Sequence, residues 1–230
     1  MKKTVLVMLV VLGVLLVDIP AFAIPASYPF INITGNNATN AATGEAQLAV
    51  EVSDYEPGQV LFNFKNAGPE ASSITDVYFD DGTLLGIASL LNSPGVAFSQ
   101  GADPGNLPGA NGADPDFETT AGFSADSDPA AQPNGVNPGE QFGIVFNLLA
   151  GADFDDVIAA LALGIQPGEQ AGELRIGIHV QGFSNGGSES FINGPPEGSP
   201  PPIPEPATML LLGSGLIGLA GLGRKKFRKS

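Results

Sequence analysis

Cysteine and tryptophan are absent from the 230 residues, histidine occurs once, and only nine side chains are cationic. Without cysteine there is no disulfide framework, no thiol nucleophile, no thiolate metal site and no lipidated amino-terminal cysteine. Any histidine-based triad or metal cluster has to use His179. The missing tryptophan leaves Tyr28, Tyr55 and Tyr78 as the main polar-tipped aromatics, a thin supply of stacking platforms for sugars. Cations are not merely few but misplaced. Lys2 and Lys3 open the chain, and Arg224, Lys225, Lys226, Arg228 and Lys229 close it. Only Lys65 and Arg175 stand against 22 acids between Ile24 and Ile203, a formal charge of −20. A body this acidic repels phosphate backbones, which excludes nucleic acid as a partner.

What is present begins with two addresses. Residues 1–23 combine a cationic start, an apolar run from Thr4 to Val17 and the small-residue tripeptide Ala21-Phe22-Ala23. That is the pattern of a secretory signal peptide cut after Ala23, implying the Sec export machinery and signal peptidase as partners. The apolar run is too short for a comfortable membrane span. At the other end, Pro204-Glu205-Pro206 is followed by an uncharged run over 207–223 and a basic tail over 224–230. The run is at the lower limit for a transmembrane helix, and flanking lysines can snorkel to extend it. The basic tail keeps its side in the cytoplasm, so the acidic body lies outside.

Those three parts, in that order at the carboxyl terminus, resemble the PEP-CTERM sorting signal. The resemblance implies a bacterial export substrate of exosortase, a membrane-embedded processing enzyme associated with exopolysaccharide production. It implies removal of the tail near Pro204, Glu205 and Pro206 after a transient single-pass stay in the inner membrane. The body would then reach the cell surface or extracellular matrix, with anionic exopolysaccharide as a candidate partner. Two blocks of the body, Ile74 to Asp80 and Arg175 to Phe183, also resemble a domain found among surface proteins with this tail, a likeness that implies no activity.

Between the addresses, residues 24–193 form the exported domain and the proline-rich stretch 194–203 a stiff spacer. Apolar residues of the domain recur with period two. Phe142 to Leu148, Val60 to Phe64 and Leu174 to Val180 alternate cleanly, which predicts half-buried strands. Further strands are predicted over Gln47 to Ser53, Ile74 to Phe79, Leu84 to Ile87 and Glu189 to Ile192, with turns at Asp80-Asp81-Gly82 and Asn185-Gly186-Gly187. Phe154, Val157, Ile158 and Leu161 switch to helical spacing, with Asp153 as cap and Gly164 as stop. Residues 92–138 read as a long irregular excursion, ordered in part by docking of phenylalanines such as Phe98, Phe117 and Phe123. The expected fold is mainly β: a single antiparallel β-sandwich-like domain with one short helix.

Chemistry is harder to find. His179 shares a strand face with Arg175 and Gln181, opposite Ile176, Ile178 and Val180, and reads as a polar residue on a solvent or groove face. No Gly-x-Ser-x-Gly nucleophile elbow occurs in the body, and among 22 acids some carboxylate pair always exists, so pairing alone does not point to glycoside hydrolysis. Asp153, Asp155 and Asp156 suit a helix first turn. Asp114, Asp116 and Glu118, with Asp126 and Asp128, are the candidate calcium ligands, since hard oxygens outside the cell suit that ion. The EF-hand pattern nevertheless fails where Thr119 replaces glycine, and solvated loop acids are the plainer role. No other cofactor and no catalytic residue is expected. Asn32 and Asn37 stand in Asn-x-Thr sequons that occur readily by chance. The reading that results is a non-enzymatic exported surface or matrix protein, with a carbohydrate-binding module as the first alternative and a matrix-polymer hydrolase as the second.

Overall fold

The computed structural model describes residues 25–80, 84–125, 134–168 and 170–197. The expected signal peptide, most of the spacer and the whole sorting tail therefore lie outside the described residues, as do Asp81, Gly82, Asp126 and Asp128. Among the described residues no helix is long and apolar enough to cross a membrane.

Ten strands form one antiparallel array: β1 (Ala26–Asn32), β2 (Leu48–Asp54), β3 (Gln59–Asn66), β4 (Ser73–Asp80), β5 (Leu85–Asn92), β6 (Phe98–Gln100), β7 (Ala121–Ala125), β8 (Gln141–Leu148), β9 (Arg175–Gln181) and β10 (Glu189–Asn193). Their order is β5-β8-β3-β2-β1-β10-β9-β4-β7-β6. β1 is shared by two sheets: Ala26 to Pro29 pair with β2, and Phe30 to Asn32 pair with β10. The array folds over at that strand, so the expected antiparallel β-sandwich forms, bent toward a barrel. Asn92 almost closes it, because its side-chain amide donates to the Phe98 carbonyl at 3.1 Å and accepts from the Phe98 N–H at 2.9 Å, linking the two edge strands.

The alternating phenylalanines of the sequence meet between the sheets. Phe79 lies edge-on to Phe62, Phe64, Phe123 and Phe146, with centroids 4.9 to 6.2 Å apart. Phe98 stacks on Phe142 at 4.0 Å. Two of the rings expected to order the long excursion thus enter the main core. The excursion is more regular than its composition suggested, since it contributes β6, β7 and a 3-10 turn at Ala110–Gly112.

That excursion also corrects the expectation of half-buried strands. Leu107, Ala113 and Phe117 pack with Tyr78 as a second, smaller core on the outer face of the β9–β4 sheet. β4 and β9 are consequently buried on both faces. At Gly177 the two layers meet closely, since an added Cβ would sit 2.8 Å from Leu107 Cδ2 and the leucine tip would have to shift.

Among the described residues two α-helices form, where one short helix was expected in the domain. α2 (Phe154–Gly164) starts and stops as its sequence predicts, with a capping box in which Asp153 accepts from the Asp156 N–H and Asp156 accepts from the Asp153 N–H. α1 (Ala38–Gln47) connects β1 to β2 and lacks an apolar stripe. It buries Asn40, Gly44 and Gln47 instead, with Gly44 so close to the Phe191 ring that a Cβ would overlap it.

Candidate functional site

The register carries both ends of the described body to one pole of the sandwich. β1 starts there at Ala26, opposite Val52. After β10 the chain continues antiparallel alongside β1: the Gly194 N–H donates to Pro29 O and the Glu197 N–H donates to Ser27 O, each at 2.7 Å. The amino-terminal entry and the carboxyl-terminal exit of the body are therefore adjacent.

The same pole gathers carboxylates. The β2–β3 turn brings exposed Asp54 and Glu56, α2 brings Asp153, Asp155 and Asp156, and the exit brings Glu197. Beside them opens a cleft of about 780 Å3 between α2, the end of β4 and the loop before β9. Its polar wall is Asp80, Asp116, Glu118, Glu173 and Arg175, and its other wall is aliphatic, with Leu84, Leu149 and Leu163. Lys65, the body's other cation, is at the opposite end, paired with Glu51.

Arg175 organises the polar wall. Its guanidinium donates to Asp80 Oδ2 at 2.6 Å, Pro115 O at 2.6 Å and Asp116 O at 2.7 Å, and lies 5.4 Å from the Phe117 ring centroid. Nε approaches Glu173 Oε1 at 3.2 Å as an ion contact without hydrogen-bond alignment. The side chain is only 4 % exposed, so these charge-assisted hydrogen bonds operate in a low-dielectric setting and pin the 115–117 segment to the sheet. Arg175 is a structural clamp whose cost of burial is offset by two carboxylates.

Of the candidate calcium ligands, Asp126 and Asp128 lie outside the described residues. Asp114, Asp116 and Glu118 are exposed. Asp116 uses its backbone carbonyl on Arg175, and Glu118 uses its N–H on Asp80 Oδ2. Among the described residues no three Asp, Glu or His side chains converge as metal ligands would.

His179 departs from its expected place. It is buried at 7 % exposure, because the second core covers the face that alternation assigned to solvent. Its Nδ1 lies 3.2 Å from Asp76 Oδ2, which also accepts from Thr75 Oγ1, while Asp76 Oδ1 accepts from Ser124 Oγ at 2.5 Å. Serine, aspartate and histidine are together, yet the aspartate is in the middle. A serine nucleophile needs its hydroxyl on the histidine, which can take the proton, and Ser124 instead gives its hydrogen bond to a carboxylate. Ser124 also receives the Asp103 N–H, so the cluster ties β4, β7, β9 and the covering loop together.

At the far pole, sequence reading missed Glu189. Thr34 Oγ1, Asn32 Nδ2 and the Asn36 N–H donate to its Oε2, and the Asn37 N–H donates to Oε1. Burial pushes its pKa up, but these donors together outweigh it and hold the carboxyl below the ordinary value. Both sequon asparagines belong to this clasp, since Asn32 also accepts from the Gly35 N–H and Asn37 caps α1. Their presence has a structural reason. A single acid among glycines and asparagines gives no such signal in sequence.

Residues 202–225 match the PEP-CTERM protein-sorting motif. The chain carries an exosortase-directed sorting signal. The signal marks an exported protein processed at the membrane, with exosortase as the processing partner. No curated protein and no solved structure matches the chain. The signal covers the tail only, and the body must be read from its own geometry.

Proposed function

We propose that this protein is a non-enzymatic surface or extracellular-matrix component whose acidic β domain is delivered by, and then freed from, its sorting signal. The observation that carries this reading is the separation of charge: the cations flank the sorted body, and the body itself holds two cations against 22 acids. Both body cations are committed, Lys65 to Glu51 and Arg175 to Asp80 and Glu173. The exposed charge is thus almost purely negative, which favours solubility and retention of cations that bridge anionic polymers.

The inward order of Ser124, Asp76 and His179 supports a role other than hydrolysis. The fate of the aromatics supports a role other than sugar stacking, because Tyr28 and Tyr78 are core residues and only Tyr55 is substantially exposed. The test is the intact mass of the mature protein from its native host, with and without the processing enzyme. The expected result is a product beginning at Ile24 and ending near Pro204, with the tail retained when the enzyme is missing. A full-length chain recovered from the cytosol would refute the reading.

A further inference from the structure

We infer that the folded body acts as a stop that limits how much spacer the processing enzyme can reach, so that spacer length sets the efficiency of tail removal. The inference rests on the reading that the tail is cut near Pro204-Glu205-Pro206. Its structural basis is the pinning of the chain to β1 as far as Glu197, through the Gly194 to Pro29 and Glu197 to Ser27 hydrogen bonds. Seven residue steps then separate the last anchored residue from Pro204. At no more than roughly 3.6 Å per residue, the tripeptide can be no farther than about 25 Å from the last anchored residue. The apolar run begins immediately after it, at Ala207. Before processing, an enzyme must therefore work in a gap of that height between body and membrane surface.

The pole that borders the gap is the acidic one. Asp54, Glu56, Asp153, Asp155 and Glu197 are exposed there, and the sole local cation, Arg175, is buried in its ion contacts. Anionic headgroups repel such a face over a screening length of about 8 Å. The length of the tether limits how far that repulsion can part body and membrane, and a shorter spacer limits it more.

The experiment uses the full chain in its native host, reading the tail-cleaved fraction by intact mass. One variant deletes Ser199 to Pro202. A second replaces the same four residues with glycine and serine at unchanged length. Each is also made with Phe79→Asp, which places a charge in the aromatic core and unfolds the body. Deletion is expected to lower cleavage about tenfold or more, since a linker too short to span its sites gives almost no effective concentration. Replacement at equal length is expected to leave cleavage unchanged, and Phe79→Asp is expected to restore cleavage of the deletion variant. Efficient cleavage of the deletion with a folded body, or loss of cleavage on equal-length replacement, would overturn the inference. An uncut parent chain would instead overturn the functional reading on which it rests.

Discussion

The two poles of this sandwich solve the same problem with opposite chemistry. Where the chain ends leave, polar groups are held by charge, with Arg175 answering Asp80 and Glu173. At the far pole, neutral amides prevail: Gln47 donates to Asn66 Oδ1, Ser72 Oγ and Glu70 O, and Asn66 donates in turn to Ser72 O and Val136 O. The one carboxylate buried there, Glu189, has no cation and relies on four donors. An exported body with two cations cannot neutralise each buried acid by pairing. It reserves its one buried cation for the loop that must cover β4 and β9, and uses hydroxyl and backbone donors elsewhere.

The largest effect should come from breaking the charged pole. Arg175→Met leaves Asp80 and Glu173 uncompensated and releases Pro115 O and Asp116 O, and removing one partner of a buried pair costs about 3–5 kcal/mol. The expected readout is a lower denaturant midpoint together with faster proteolysis of the 110–118 loop. Adding Asp80→Asn and Glu173→Gln should recover much of the loss. Failure of that rescue would mean that packing, including Phe117 beside the guanidinium, matters more than charge.

The neutral pole should yield a smaller loss with a distinctive pH signature. Glu189→Gln keeps the shape but turns one acceptor oxygen into a donor facing donors, at a cost of about 2 kcal/mol for unsatisfied buried groups. The folded-state pKa of Glu189 lies below its ordinary value of 4.5, so its stabilisation is complete above that value and is lost as pH falls through the lower folded-state value. Thermal midpoints across the acid range should fall less steeply for the glutamine variant than for the parent. Parallel acid limbs would show that the clasp does not depend on ionisation.

Much of this contrast was legible in the sequence, but unevenly. Period-two phenylalanines located the central strands, and Asp153 with Gly164 bounded α2, because those signals act within a few residues. The burial of His179 and Arg175 was not legible, since alternation reports two faces and cannot say that residues 101–120 return to cover the outer one. α1 escaped notice because its buried face is Asn40, Gly44 and Gln47, which has no hydrophobic period to detect. β1 went unread for another reason: Ala26 to Asn32 carries two prolines' worth of ambiguity around it, with Pro25 before the strand and Pro29 within it. Pro29 is tolerated because its carbonyl, rather than an N–H, meets Gly194.

The smallest expected effect separates fold from charge at the acidic pole itself. Asp153 caps α2, yet it shares a shallow groove with Asp54 and Asp155, so the side chain both stabilises and repels. Asp153→Ala removes the cap and should cost about 1 kcal/mol. At low ionic strength part of that loss is offset by relief of repulsion, and salt screens the repulsion without replacing the cap. The measured loss should therefore grow as salt is added. Asp153→Asn keeps an acceptor for the Asp156 N–H while removing the charge, and it should be neutral or slightly stabilising at low salt. If asparagine costs as much as alanine, the carboxylate is needed for the helix and the acidity of this pole follows from folding. If it costs nothing, the fold does not require the charge, and the reason for so acidic a pole lies in what it faces during export.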